Sequence, residues 1–174
     1  MVAPTYRNAA AIITHNVTVV ELLTKGYLSV KNILMTIKDC EASTITSPIV
    51  EKTLELASLC SSKVYIIHVA PPLREPPYNV DSEMFRREVA KELHHEHDFL
   101  QYLEKYIQDM NIDATALLAQ GTIISAILKE SERLAVDLVI LGRHKHGPLY
   151  RALMDNTEEG LLAKSSCPIM FVPI

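Results

Sequence analysis

The sequence predicts an α/β domain built on a doubly wound parallel sheet. Short apolar runs rich in β-branched residues, such as KNILMTIK, KVYIIHVAPP and DLVILG, are typical of strands that are buried on both faces. Longer stretches with apolar residues at helical spacing lie between them, and strands separated in this way form parallel sheets with right-handed crossovers. We therefore expect helices on both faces and a ligand site at the carboxyl ends of the strands.

The first half of the domain is predicted to contain two strands and one helix. KNILMTIK is the first strand, and a polar turn follows it. Ser47 and Pro48 then mark the start of a helix, because serine is a good N-cap and proline suits the first helical turn. The residues predicted to face inward on this helix are Ile49, Val50, Leu54, Ala57 and Leu59. KVYIIHVAPP is the second strand, which the two prolines end.

The second half continues the alternation of helix and strand. Residues 81–110 have the spacing of a long helix, with an inward stripe of Val89, Leu93, Leu100, Leu103, Ile107 and Met110. ATALLAQG is the third strand, and a helix that begins after Thr122 is predicted to turn Ile123, Ile127 and Leu134 inward. DLVILG is the fourth strand, a helix is predicted near residues 157–165, and PIMFVPI is the last strand.

Composition narrows the functional classes. The 174 residues suit one domain (31–174) preceded by an N-terminal extension (1–30). With 17 Lys plus Arg against 21 Asp plus Glu, the chain has no basic excess for nucleic acid. No basic leader and no apolar run of about 20 residues is present, so we expect no membrane insertion and a cytoplasmic protein. Three widely spaced cysteines suggest free thiols in a reducing compartment.

Five pieces of sequence between Lys31 and Ile174 carry a family resemblance. They are KNILMTIKDCEAS, KVYIIHVAPP, LLAQG before an amphipathic helix, DLVILGRHKHG and SSCPIMFVPI. In this order they resemble the universal stress protein family. The resemblance implies a Rossmann-like, adenine nucleotide alpha hydrolase-like fold with strand order 3-2-1-4-5, and a stress-response or regulatory role with possible protein partners. It also implies a homodimer that pairs through the last strand, at Pro168, Ile169, Met170, Phe171 and Val172.

Nucleotide-binding members of that family share a recognisable site. An aspartate closes the first strand, a residue at the end of the second strand contacts adenine, and G-x-x-G-(nine residues)-G-[ST] follows the fourth. Glycines in such a loop let backbone N–H groups approach phosphate oxygens. Here Val69 and Gly142 match the pattern, whereas Lys38 stands at the aspartate position and Asp39 comes one residue later. If the first strand continued, the Asp39 side chain would point to the opposite face.

The loop after the fourth strand departs further from the pattern. Lys145, Asp155 and Asn156 replace the second glycine, the third glycine and the Ser/Thr. The candidate nucleotide or anion ligands are Asp39, Val69, Gly142, Arg143, Lys145, Gly147, Asn156 and Thr157. Because Asp155 places a negative charge where phosphates would lie, the chain resembles members that do not bind ATP tightly. We expect a non-enzymatic protein without a cofactor, since no nucleophile, base and orienting group occur together. A switch that binds ATP or AMP, or a slow ATPase, stays open as an alternative.

A metal or redox sensor is a second alternative. His94 and His97 lie three residues apart on the predicted long helix and can share a face, but the sequence indicates no further ligand, so we expect no metal. Cys40 follows the first strand near the predicted ligand site, and a reactive thiol there would need a lowered pKa. His68, inside the second strand, is interpreted as a core histidine.

Overall fold

The computed structural model of the protein describes residues 29–72, 75–79, 81–143 and 164–173. The elements in chain order are β1 (Asn32–Ile37), α1 (Ala42–Ile45), α2 (Pro48–Cys60), β2 (Lys63–Ala70), α3 (Ser82–Gln108), β3 (Ala114–Gln120), α4 (Ile123–Arg133), β4 (Leu138–Arg143) and β5 (Ile169–Pro173). The five strands form one sheet in the order β3-β2-β1-β4-β5, and each neighbouring pair is parallel. The predicted class and strand order are confirmed.

Helices cover both faces of the sheet, as predicted. Strand residues alternate between the faces, so Ile33 and Met35 of β1 join the core beneath α2 and α3, whereas Leu34 joins the core beneath α4. The helices contribute Ile49, Val50, Leu56, Leu100, Leu103 and Ile107 to the first core and Ile127 to the second. These central strands are buried on both sides, which explains why their sequences are continuously apolar.

The predicted helix starts are correct in position, but serine and threonine do not cap in the expected way. α2 begins at Pro48 after Ser47, and α4 begins after Thr122. Neither side chain accepts a hydrogen bond from its helix. The Ser47 hydroxyl instead donates to the Thr44 carbonyl at 2.5 Å. That contact belongs to α1, a short helix in the stretch predicted as a turn.

Three residues predicted to face inward are exposed. Leu59 is 64% exposed, because the buried stripe of α2 runs through Thr53, Leu56 and Ala57 on another side of the helix. Met110 is exposed because α3 ends before it. Ile123 is 39% exposed because it opens α4 at the rim of a cavity.

Several sequence predictions lie outside the described residues. The N-terminal extension falls there up to residue 28, and so does nearly all of the helix predicted near residues 157–165. The domain boundary at residues 30 and 31 therefore stays a prediction. Among the helices of the described ranges, none combines the length and the apolar character needed to cross a membrane.

Candidate functional site

A cavity of about 230 Å³ lies at the carboxyl ends of β1, β2 and β4. The strands that follow β1 are added on its two sides: β2 and β3 lie on one side, and β4 and β5 lie on the other. The doubly wound sheet predicts a ligand site at such a reversal. The lining comprises Thr36, Ile37, Lys38, Asp39, Ser43, Thr44, Ser47, Ile49, Ile67, His68, Val69, Ile123, Ile127, Leu141 and Gly142.

The cavity wall is mostly apolar, and the hydroxyl groups of Thr36, Thr44 and Ser47 donate their hydrogen bonds to backbone carbonyls rather than into the cavity. Thr36 Oγ1 donates to the Ile140 carbonyl at 3.4 Å, and Thr44 Oγ1 donates to the Asp39 carbonyl at 2.7 Å. Ser47 donates to Thr44, as described above. A hydroxyl whose proton is engaged retains its lone pairs as acceptors. The wall therefore offers apolar surface and acceptors to a ligand.

The turn after β1 places both charged residues of the cavity on its lining. β1 ends at Ile37, so the strand alternation that would have turned Asp39 away stops before it reaches this residue. Lys38 Nζ and Asp39 Oδ1 lie 3.5 Å apart, and both side chains are more than half exposed. Asp39 is thus available to the cavity, but Lys38 accompanies and partly neutralises it.

Only part of the predicted nucleotide site lies within the described residues. Asp39, Val69 and Gly142 come together on the cavity lining. Arg143 ends β4, and its side chain lies outside the description. Four further candidates are also outside the described residues: Lys145, Gly147, Asn156 and Thr157.

His68 lines the cavity and makes a buried contact that the sequence did not predict. Its Nδ1 lies 3.3 Å from the Ile37 carbonyl oxygen, and its Nε2 lies 3.3 Å from Oε1 of Glu96 on α3. The side chains of His68 and Glu96 are 9% and 12% exposed. His68 is therefore a paired core histidine, as interpreted. One signal could have revealed its partner: Glu96 lies at helical spacing between Leu93 and Leu100 in the apolar stripe.

Cys40 does not have the environment of a reactive thiol. Burial raises the pKa of Cys40 to about 12, and the negative charges of Glu96 and Asp39 act in the same direction. Because the thiolate is the reactive form, a raised pKa suppresses oxidation and alkylation. The buried environment of the Cys40 thiol therefore argues against the redox interpretation, which stays an alternative prediction.

The histidines of α3 are spread along an exposed helix face. His94 Nε2 lies 3.6 Å from Asp98 Oδ2, and both side chains are exposed. Within the described ranges, no group of three or more His, Cys, Asp or Glu side chains is placed to hold a metal ion. His94 and His97 therefore form no metal site with other described residues.

Comparison with known proteins agrees with this geometry. The universal stress protein family model matches residues 29–173. Solved structures with the same fold include the universal stress protein UspA from Lactobacillus plantarum, which has a TM-score of 0.60 and 13% identity and is matched over 83% of this chain and 99% of that chain. A search of curated protein sequences finds no significant match.

Two other structural neighbours contain nucleotides. A universal stress protein in complex with cAMP has a TM-score of 0.55 at 12% identity, over 84% of this chain and 98% of that chain. A universal stress protein from Archaeoglobus fulgidus in complex with dAMP has a TM-score of 0.56 at 13% identity, over 83% of this chain and 98% of that chain. At such identities the neighbours establish the fold, and the family match covers nearly all of the described residues. The chain belongs to the universal stress protein family.

Proposed function

We propose that this chain is a non-enzymatic, homodimeric stress-response regulator that does not bind ATP tightly and needs no cofactor. The observation that carries the proposal is the size and lining of the cavity. At about 230 Å³ it is smaller than the roughly 300–1,000 Å³ of sites for drug-sized ligands. Its wall is mostly apolar, and among the described lining residues the Lys38 ammonium is paired with Asp39, which reduces the positive charge available to a triphosphate.

The sequence of the loop after β4 supports the same proposal. Lys145 and Asp155 replace the two glycines that would let backbone N–H groups approach phosphate oxygens. An aspartate in such a loop repels a triphosphate: two like charges about 4 Å apart repel by about 4 kcal/mol at an effective dielectric constant of about 20.

Isothermal titration of the full chain with ATP and AMP tests this proposal. We expect no ATP binding at micromolar concentrations, and micromolar affinity in the wild-type protein would overturn the idea. The triple variant Lys145→Gly, Asp155→Gly, Asn156→Ser restores the glycine pattern. It is expected to bind ATP at least about tenfold more tightly than the wild-type protein, because the like charge is removed and the backbone can approach the phosphates.

The homodimer is supported by a difference between the two sheet edges. At β3, α3 side chains occupy outward-facing backbone groups: Glu104 Oε2 accepts from Ala116 N, and Gln108 Nε2 donates to the Ala114 carbonyl, both at 3.0 Å. At β5, no side chain of the described residues bonds the outward groups of the strand. A sheet edge whose outward backbone groups are unpaired is a template for pairing with another chain, which favours β5 over β3 as the pairing edge.

A nucleotide-binding switch is the second candidate, and the arrangement around the cavity favours it. Asp39, Val69 and Gly142 lie together there, close to the positions that the family uses for nucleotide. The structural neighbours in complex with cAMP and dAMP are the same fold at low identity. This candidate predicts nucleotide that stays bound through purification, detected by absorbance and chromatography, and weaker binding in Gly142→Val. Slow ATPase activity belongs to it as well, and is measured as phosphate release.

A further inference from the structure

The long helix α3 is attached to the domain unevenly. Its buried residues are Leu100, Leu103 and Ile107, all in its last third. From Ser82 to Asp98, which we call the outer segment, no residue is as deeply buried as Leu100, Leu103 or Ile107. The inward positions of the outer segment are the partly buried Phe85, Val89 and Leu93, together with Glu96, whose side chain is 12% exposed. Elements with few buried apolar contacts open more readily than the domain core.

A cavity separates part of the outer segment from the sheet. It measures about 290 Å³ and is lined by Phe85, Val89 and Leu93 of α3, by Pro71 and Pro72 after β2, and by Ala70, Glu92, Glu96 and Gln120. Because this space lies beneath the helix, apolar packing holds the outer segment less tightly than it holds the last turns of α3. The contact of Glu96 with His68 adds a buried polar link between the outer segment and β2.

The geometry of this contact limits the protonation states in which both His68 ring nitrogens can form hydrogen bonds. Both partners of the His68 ring, the Ile37 carbonyl oxygen and the Glu96 carboxylate, are hydrogen-bond acceptors. A neutral imidazole can donate to only one of them, so satisfying both requires an imidazolium or a protonated Glu96. In either form, the pair joins α3 to the ends of β1 and β2 through one ring.

The same contact also carries a cost that favours its release. Glu96 Oε2 is buried and has no hydrogen-bond partner among the described residues. A buried polar atom without a partner loses its hydration without compensation. In buried ion pairs this desolvation can cancel most of the attraction between the charges. Opening the helix would return Oε2 to water, which offsets part of the stabilisation that the contact provides.

We propose that the His68–Glu96 pair is a releasable clasp, from which the outer segment of α3 opens while Leu100–Gln108 stays docked. Opening exposes the apolar side chains of Phe85, Val89 and Leu93 and the cavity beneath them. The outer segment is thus a movable part of α3 whose closed state is stabilised by one buried polar contact.

Hydrogen exchange of the full chain, read by mass spectrometry, tests the clasp. In the wild-type protein, amides of residues 86–98 are expected to exchange at least about a hundredfold faster than those of residues 103–108. Glu96→Ala is expected to accelerate exchange in residues 86–98 by at least about tenfold, the loss of one hydrogen bond to a charged group, and to leave residues 103–108 unchanged.

His94→Ala is the matched control. It lies on the same helix, adds the same helix-favouring alanine and breaks only the exposed contact with Asp98, so it is expected to exchange like the wild-type protein. Equal acceleration in both variants, or none in Glu96→Ala, would overturn the proposal. If Glu96→Ala does not fold, the wild-type profile decides, because uniform exchange along all of α3 contradicts a separate outer segment.

Discussion

At the scale of single residues, long-range contacts from one side chain to a distant backbone connect the ends of elements. Asp137, in the turn before β4, is the clearest case. Its Oδ2 accepts from the backbone N–H groups of Lys31 at 2.8 Å and Asn32 at 2.9 Å. The Asn32 side chain in turn donates to the carbonyls of Leu134 and Ala135. These bonds fix the start of β1 beside the start of β4.

Asp137→Ala is therefore expected to lower the free energy of unfolding by about 1–3 kcal/mol, because two N–H groups lose a charged acceptor. Urea denaturation followed by circular dichroism measures the loss. Asp113→Ala serves as the control, since Asp113 makes a more exposed pair with Lys63 at 3.2 Å that is expected to contribute less than about 1 kcal/mol. Similar losses in the two variants would show that Asp137 has no special structural role.

The three thiols are expected to differ in reactivity. Burial raises the pKa of Cys40, Cys60 and Cys167, yet Cys60 is only half-buried whereas the other two are buried. At pH 8, Ellman's reagent should therefore modify Cys60 first in the native protein and should reach Cys40 and Cys167 only on unfolding. Cys60→Ser should remove the early reaction. Early reaction of Cys40 in that variant would show that its thiol is less buried than described.

The raised pKa of Cys40 also sets the sign of a pH effect. The unfolded thiol ionises around its ordinary value of 9.0, while the folded thiol keeps its proton to about pH 12. Unfolding then releases a proton, so stability is expected to fall as the pH rises through this window. Thermal unfolding of wild type and Cys40→Ala between pH 8 and 10.5 checks the effect, because the variant should show a smaller decrease. Parallel curves would contradict it.

At the scale of elements, α3 protects one edge of the sheet. Glu104 and Gln108 lie one turn apart on α3, and Gln108 Nε2 also donates to Glu104 Oε1 at 3.1 Å. Together they occupy outward backbone groups of Ala114 and Ala116 on β3. Covering an edge in this way is a known defence against intermolecular pairing.

Glu104→Ala is expected to make the protein aggregate faster, because it frees the Ala116 N–H at this strand edge. Light scattering during incubation at a temperature below the unfolding transition measures the rate. Glu88→Ala, on the same helix, breaks only an exposed pair with Lys91 and should aggregate like the wild-type protein. An unchanged rate in Glu104→Ala would show that the edge is protected by other means.

At the scale of the whole molecule, the outward edge of β5 determines how two copies are proposed to meet. Val139 N donates to the Pro168 carbonyl at 3.0 Å, with Val139 paired to Ile169. In a parallel ladder this register turns the backbone groups of Met170 and Val172 toward β4 and those of Ile169 and Phe171 outward.

Phe171→Pro is therefore expected to convert the proposed dimer into a monomer, because proline removes an outward N–H and leaves the bonds to β4 intact. Phe171→Ala loses the same aromatic ring but keeps the N–H, so it should remain a dimer. Light scattering coupled to size exclusion gives both masses, and circular dichroism checks that each variant is folded. A dimeric Phe171→Pro would show that the subunits do not pair through this strand.

Much of the fold could be predicted from the sequence because burial leaves a local pattern. The runs in β1, β2 and β4 are apolar on both faces, and Pro48 marks the start of α2. The inward orientation predicted for Leu59 and Ile123 was wrong. Periodicity identifies the apolar side of a helix, but it does not show which residues at the borders of that side are covered by other elements. For the site, Val69, Gly142 and Asp39 were singled out by the family resemblance, and the structure places all three on one cavity lining, while their role in binding stays a prediction.

The sequence by itself thus determined the class, the five strands, the helices α2, α3 and α4, and the family, because each is encoded in local periodicity and in the order of short motifs. Tertiary structure alone decided that Glu96 meets His68, that Asp137 holds the start of β1 and that Glu104 caps β3. These partners are 28, 106 and 12 residues apart in sequence. A polar side chain looks the same in sequence whether it faces water or a distant donor, and only the placement of the elements distinguishes the two.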